Sequence, residues 1–112
     1  MAIIGVIGAM PRNLRQEMRG SGHEIVRLRN LPQRKRLDLI IAQEPSPDLV
    51  RRIRASRREM TPLLAITSLG EEERIRLMVE GADRSLDPTE GLKAMVAHAE
   101  SLVRMTSRSC EL

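Results

Sequence analysis

Short runs of aliphatic residues alternate with segments of helical period along this chain, and that alternation limits the folds it can adopt. Residues 3–7, 37–42 and 63–67 are apolar at nearly every position. A strand that is apolar on both faces is typical of a parallel sheet, in which helices cover both sides. The pattern therefore predicts an α/β fold whose parallel strands are joined by right-handed crossovers.

Weaker signals complete the sheet and its connections. Residues 23–29 alternate apolar and polar side chains, which favours a half-buried edge strand, and residues 82–86 favour a short last strand. Residues 30–36 contain Pro32 and the run Arg34-Lys35-Arg36, so we expect a loop there rather than a packed helix.

Helical period predicts three helices between the strands, over residues 13–19, 48–60 and 71–81. We expect Asp48 to cap the second of these. In the third, the predicted inward stripe consists of Ile75, Met78 and Val79, and Leu77 falls outside it.

The last helix has the clearest start signal. Asp87, Pro88 and Glu90 have the spacing of an N-cap, a first-position proline and a carboxylate that reaches back to the cap. Its predicted inward stripe is Leu92, Met95, Val96, Ala99, Leu102 and Val103. We predict one domain over residues 1–105 and a polar tail over residues 106–112.

Composition excludes several classes of function. The 112 residues include no Phe, Tyr or Trp, which argues against functions that depend on stacking against aromatic rings. No apolar run approaches about 18 residues, so we expect no membrane span, and the apolar start of the chain lacks the basic segment of a signal peptide. The single Cys110 cannot form an internal disulfide, which favours a cytoplasmic protein.

Charge is divided unevenly along the sequence. Residues 1–60 hold 13 basic and 6 acidic side chains, whereas residues 61–112 hold 6 basic and 9 acidic ones. A basic patch on the predicted second helix is either a solvated face or a docking surface for an acidic partner or a phosphate backbone. Without a helix-turn-helix pattern, sequence-specific DNA binding is not supported. The patch comprises Arg51, Arg52, Arg54, Arg57 and Arg58.

A resemblance emerges when the segments are taken together. They are Leu37-Asp-Leu-Ile-Ile41, Asp48-Leu-Val-Arg-Arg-Ile-Arg54, Thr61-Pro-Leu-Leu-Ala-Ile-Thr-Ser-Leu-Gly-Glu-Glu-Glu73 and Glu80-Gly-Ala-Asp83, continuing through Leu86 to Pro88. Over roughly residues 3–104 the chain resembles the receiver domain of bacterial two-component response regulators. The resemblance implies a flavodoxin-like, five-stranded parallel sheet of order 2-1-3-4-5 with helices on both faces, the second helix being shortened or missing.

The resemblance also implies a set of chemical positions, most of which are altered here. Receivers hold Mg²⁺ on acids after the first strand, and an Asp after the third strand accepts the phosphoryl group. In this sequence Ile7-Gly8-Ala9 occupies the place of the acids, and Gln43 replaces the acceptor. A register slip of one residue would place Glu44 at the acceptor position, but the metal ligands would still be missing. Thr67 matches the receiver hydroxyl, and Ser85 stands at the aromatic switch position. The lysine position either falls at Asp87 or is deleted. We therefore interpret the chain as a degenerate receiver, or pseudo-receiver.

Other candidate sites have simpler explanations. Thr67 either binds an anion or caps the following loop, and Asp87 is either functional or the helix cap. The pattern Gly5-x-x-Gly8 is a weak match to a phosphate-binding turn. His23 and His98 have no partner at metal-ligand spacing, so we expect both at the surface. We predict no catalytic residue, metal or cofactor.

A second line of short side chains follows the last helix beside its core stripe. Together with Leu77 it is either a partner or homodimer surface or an unremarkable face of small residues. The resemblance points to this side, because receivers commonly associate there. The line consists of Ala94, Ala97, His98, Ser101 and Met105.

We therefore predict a signalling or regulatory module, not an enzyme, that acts independently of phosphorylation through protein–protein contact. A nucleic-acid or anion-binding domain that uses the Arg-rich helix is the alternative. A small cofactor-binding domain of flavodoxin-like fold is less well supported.

Overall fold

Five parallel strands form a single sheet in the computed structural model, which describes residues 2–29, 36–56 and 61–110. The strands are β1 (Ile3–Ile7), β2 (Glu24–Arg27), β3 (Leu39–Gln43), β4 (Leu63–Ile66) and β5 (Arg84–Leu86). Their order is β2-β1-β3-β4-β5, and all neighbouring pairs are parallel. The predicted flavodoxin-like order is confirmed, with β2 and β5 at the edges.

Four α-helices accompany the sheet in the described part of the chain: α1 (Arg12–Gly20), α2 (Pro47–Ser56), α3 (Glu71–Glu80) and α4 (Leu92–Cys110). The described residues between β2 and β3 form no helix, as predicted, and most of the loop expected over residues 30–36 lies outside them. The backbone of α4 continues past residue 106, where the polar tail was expected to begin. None of the helices in the described ranges has the length and apolarity needed to cross a bilayer.

The helices pack as two pairs on opposite faces of the sheet. On one face, α1 contributes Leu14 and Met18, and α4 contributes three buried residues to the same cluster as Ile4 and Val6. On the other face, Val50 and Ile53 of α2 join Leu77 of α3. Aliphatic and methionine side chains fill the volume that aromatic rings commonly occupy. The three residues from α4 are Met95, Ala99 and Leu102.

The predicted inward face of α3 is wrong. Leu77 is completely buried, whereas Ile75, Met78 and Val79 are 56%, 48% and 79% exposed. The inner side of α3 is lined instead by charged residues whose partners come from other elements: Arg74 pairs with Asp87, and Glu80 pairs with Arg51 of α2. Because these charges are neutralised across the fold, one leucine is enough to anchor the helix, and the apolar stripe faces solvent.

Two helix starts also differ from the sequence prediction. Ser46 caps α2, since its hydroxyl accepts a hydrogen bond from the Leu49 amide at 3.1 Å, and Asp48 lies within the first turn. The capping box of Asp87 and Glu90 forms as predicted, but it closes a short 3₁₀ turn over Pro88–Glu90. The helix α4 itself begins only after Gly91, and its predicted inward stripe packs on the core.

Candidate functional site at the carboxyl ends of the strands

The loop after β1 approaches the end of β3 closely because it contains glycine. Gly8 has a φ of +89°, and a Cβ atom there would lie 2.9 Å from the carbonyl oxygen of Gln43. Both the backbone conformation and the contact exclude a larger side chain without rearrangement. A carboxylate at position 8 is therefore incompatible with this arrangement of the loop.

Gln43 ends β3, beside Gly8. Its Oε1 atom is buried and receives no hydrogen bond from the described residues. A buried amide oxygen without a donor is destabilising, and an amide does not form an acyl phosphate. The side chain at the expected acceptor position thus cannot accept a phosphoryl group, and its buried oxygen lacks a hydrogen-bond donor among the described residues.

Glu44, the next residue, bridges to the end of β4. Its Oε1 accepts a hydrogen bond from the Ser68 amide at 2.8 Å, and its Oε2 accepts one from the Thr67 hydroxyl at 3.3 Å. Thr67 is fully buried, and its hydroxyl accepts in turn from the Leu69 amide at 3.2 Å. The structure thus supports the interpretation that Thr67 caps the following loop, and it brings Gln43, Glu44 and Thr67 together at one edge.

Ser85 and Asp87 are bonded elsewhere. The Ser85 hydroxyl donates to the Arg74 carbonyl at 2.8 Å, which ties β5 to α3. Asp87 accepts from both the hydroxyl and the amide of Thr89, at 2.7 and 2.8 Å. These hydrogen bonds from Thr89, with the nearby positive charge of Arg74, lower the pKa of Asp87. The geometry agrees with the cap interpretation of Asp87.

Other sequence motifs at this edge also have structural explanations. Gly5 lies inside β1, where a Cβ atom would come within 2.7 Å of the Leu28 side chain, so it serves close packing rather than a phosphate-binding turn. Within the described ranges, no three His, Cys, Asp or Glu side chains are grouped closely enough to hold a metal ion.

The prediction that both histidines lie at the surface is wrong for His23 and holds only in part for His98. The His23 side chain is only 9% exposed; its Nδ1 accepts from the Ala2 amide at 3.2 Å, and its Nε2 lies 2.8 Å from Glu100. His98 on α4 is half-buried, and its Nδ1 lies 3.1 Å from the Arg84 guanidinium. The partners are distant in sequence, which explains why spacing along the chain did not reveal them.

The predicted interaction face on α4 changes in composition. Ala97 and Met105 are exposed, and Ala94, His98 and Ser101 are half-buried, so these five remain as a surface that we call the α4 face. Leu77 is buried and does not contribute. Sequence reasoning missed the exposed Ile75, Met78 and Val79, which we call the α3 face. The i, i+3, i+4 spacing was visible but was assigned to the core.

Two arginines of the Arg-rich helix α2 are engaged in ion pairs within the fold. Arg51 donates to Glu80 at 2.9 Å. This hydrogen bond and the carboxylate charge raise the pKa of Arg51, and the same hydrogen bond with the guanidinium charge lowers the pKa of Glu80. Arg54 donates to the carbonyls of Gly81 and Thr61 and to Asp83. Arg52 is exposed, and Arg57 and Arg58 lie outside the described residues. The ion pairs do not favour a nucleic-acid surface here.

Comparison with known proteins identifies the fold. The sequence matches no protein-family model and no curated protein. The receiver domain of a Francisella response regulator superimposes with a TM-score of 0.80 at 14% identity, covering 95% of this chain and 99% of that one. A CheY-like receiver domain protein from Methanospirillum hungatei gives 0.80 at 12% identity, covering 97% and 98%. The non-phosphorylated HemR receiver domain from Leptospira biflexa gives 0.77 at 19% identity, covering 92% and 94%.

Proposed function

We propose that this chain, which has the receiver-domain fold, is a regulatory module that acts through protein–protein contact without being phosphorylated. The proposal rests on which side chains stand at the carboxyl ends of the strands. Gln43 offers an amide where receivers have an acceptor, and the carboxylate of the adjacent Glu44 accepts hydrogen bonds from Thr67 and Ser68.

Phosphoryl transfer to a carboxylate depends on a metal ion to neutralise charge and on an accessible carboxylate oxygen to attack. Mg²⁺ prefers several oxygen ligands in near-octahedral geometry. At the end of β1 the chain offers Gly8 and Ala9 instead of carboxylates, and Gly8 has no room for a side chain. The arrangement therefore favours a signalling scaffold over a phosphotransfer site.

The proposal is tested by incubating the protein with acetyl phosphate and Mg²⁺ and measuring its intact mass. We expect no phosphorylated species, either for the wild type or for Gln43→Asp, because restoring the acceptor does not restore the metal ligands. An acid-labile phosphorylated form of the wild type that disappears in Glu44→Gln would overturn the proposal.

The surface for protein contact, we propose, flanks the edge strand β5. The α3 face lies on one side of this strand and the α4 face on the other, since α3 and α4 cover opposite faces of the sheet. Arg84 reaches His98 on α4, whereas Ser85 bonds to α3, so β5 connects both faces. Adjacent exposed aliphatic side chains on a helix are typical of interaction surfaces.

A second copy of the chain is the partner that we propose for these faces. Exposed Glu72 and Arg76 flank Ile75 on α3, so two antiparallel copies of this helix would place opposite charges beside the apolar residues. Such a self-complementary surface suits a two-fold dimer.

Sedimentation velocity over a range of concentrations measures the association. We expect Ile75→Glu and Ala97→Glu each to weaken self-association at least tenfold, whereas Gln16→Glu on the exposed side of α1 leaves it unchanged. A wild-type protein that stays monomeric at every concentration, or an Ile75→Glu variant that associates normally, would contradict the dimer.

A further inference from the structure

Glu44 adopts a backbone conformation that its side chain makes unfavourable. Its φ is +49°, and among the described residues it is the only one besides glycines with a positive φ. The left-handed region is strained for residues that carry a Cβ atom, and glycine occupies it without that penalty. A glutamate at such a position indicates that its side chain makes a contribution that glycine would lack.

That contribution is visible in the hydrogen bonds. One carboxylate accepts from the Ser68 amide at 2.8 Å and from the Thr67 hydroxyl at 3.3 Å. Since the Leu69 amide donates to that same hydroxyl, three consecutive residues are organised by a single anionic group. The Glu44 amide also donates to the Ile66 carbonyl at 2.7 Å, which fixes the backbone next to the strand that precedes the connection.

This connection leads directly into the α3 face. Leu69 is exposed, Gly70 follows with a φ of +102°, and α3 begins at Glu71. The position of Leu69 and the start of α3 therefore depend on the hydrogen bonds to Glu44. Glu44 is an exposed residue that covers the buried Thr67, so removal of its side chain would open the Ser68 amide and the Thr67 hydroxyl to small solutes.

We propose that Glu44 is an internal anionic ligand of the β4–α3 connection: its carboxylate occupies donors that form a site for a small oxyanion, and by occupying them it holds the α3 face in one conformation. The link to the α3 face rests on the proposed function, whereas the occupancy of the donors rests on the hydrogen-bond geometry alone.

An attached ligand has a physical advantage at this place. The first turn of α3 carries Glu71, Glu72 and Glu73, whose negative charge opposes the approach of a free anion. A carboxylate on the same chain is present at high effective concentration and overcomes this repulsion without depending on the supply of a ligand. The site is thus constitutively filled in the wild type.

Chemical rescue tests the proposal. In Glu44→Ala, we expect the amide NMR signals of Ser68 and Leu69 to move away from their wild-type positions. Sodium formate, the smallest carboxylate, should return them saturably towards those positions, and sodium chloride at equal ionic strength should not. Glu44→Gly carries the same expectation and relieves the strained backbone, so it serves if the alanine variant does not fold.

Two further variants test whether Glu44 acts as an anionic ligand or only supports the loop structurally. Glu17→Ala removes an exposed glutamate of α1 and should give neither amide shifts at Ser68 nor a response to formate. Glu44→Gln keeps an oxygen for the Ser68 amide but loses the negative charge, so we expect a smaller shift and no formate response. Unchanged Ser68 and Leu69 signals in Glu44→Ala, or shifts that formate does not reverse, would overturn the internal ligand.

The functional link has its own readout. We expect Glu44→Ala to weaken self-association several-fold and formate to restore it. Rescue of the amide signals without any effect on association would overturn the link to the α3 face. Phosphorylation of the wild type by acetyl phosphate would instead refute the proposed function. The formate response of Glu44→Ala would still test the internal ligand independently of that result.

Discussion

The two ends of the sheet are built differently. At the amino end, side chains satisfy the first backbone amides of the strands: Asp38 accepts from the Ile3 amide at 2.8 Å, and Asp83 accepts from the Leu63 amide at 2.8 Å. At the carboxyl end, Gln43 has a buried oxygen without a donor in the described chain, and Glu44 has a left-handed backbone. The amino end thus has its strand amides paired, and the strained residues lie at the end where α/β proteins bind their ligands.

Arg54 shows how densely the amino end is connected. Its guanidinium donates to the Gly81 carbonyl at the end of α3, to the Thr61 carbonyl before β4 and to Asp83 before β5. Asp83 is therefore shared between a backbone amide and a cation. Such a network holds α2, α3 and two strands in fixed positions. Among the described residues at the carboxyl end, by contrast, the Glu44 carboxylate bonds only to Thr67 and Ser68, and Asp87 forms a separate group with Arg74 and Thr89.

The largest predicted effect is at the amino end. Arg54→Ala should lower the free energy of unfolding by about 2–4 kcal/mol, because it leaves several partly buried acceptors unpaired. Arg52→Ala, two residues away on the exposed side of the same helix, should change it by less than about 0.5 kcal/mol. Urea denaturation measures both free energies. Equal effects of the two substitutions would show that the Arg54 network does not stabilise the amino end of the sheet.

A smaller effect, of opposite sign, is expected at the carboxyl end. Gln43→Leu removes a buried amide oxygen that lacks a donor in the described chain and puts an apolar side chain of similar size in its place, so it should raise the free energy of unfolding by about 1 kcal/mol. Gln16→Leu at an exposed site of α1 is the matched control, with a change of less than about 0.5 kcal/mol. If Gln43→Leu proved as destabilising as Arg54→Ala, then Gln43 would be an essential part of the fold, and the carboxyl end would not be the strained one.

The smallest effect concerns pH. Because the hydrogen bonds from Thr89 lower the pKa of Asp87 in the folded protein, its ionised form stabilises the fold above the ordinary aspartate pKa. That contribution is lost as the pH falls from about 5 through the lowered folded value. Thermal denaturation should therefore show a steeper loss of Tm on acidification for the wild type than for Asp87→Asn, which keeps a capping side chain but does not titrate.

Parallel acid curves for the two proteins would show that the Asp87 charge has no part in stability. Glu80 also has a lowered pKa, through its hydrogen bond with Arg51, but it is present in both proteins and does not affect the difference between them.

Features that depend on residues close together in the sequence could be predicted from it. Buried strands such as Ile3–Ile7 are apolar on both faces, so their composition alone places them inside a parallel sheet. The capping box at Asp87 and Glu90 spans a few residues and formed as predicted, although it closes a 3₁₀ turn rather than the long helix.

Contacts between distant residues were not predictable in the same way. The inner side of α3 carries Arg74 and Glu80, which look solvent-facing until Asp87 and Arg51 are placed beside them. The partners of His23 are Ala2 and Glu100, far away in sequence. The carboxylate of Glu44 reaches β4 from a left-handed backbone, for which its residue type gives no signal.

Titration with beryllofluoride and Mg²⁺, followed by amide NMR, tests the central claim most directly. Beryllofluoride mimics a phosphoryl group on a carboxylate only where an acceptor and a metal site are both present. The account predicts no saturable shift of the Thr67, Ser68 and Leu69 signals in the wild-type protein. Saturable, Mg²⁺-dependent shifts of those three signals would contradict it and would show that the carboxyl end retains a working acceptor.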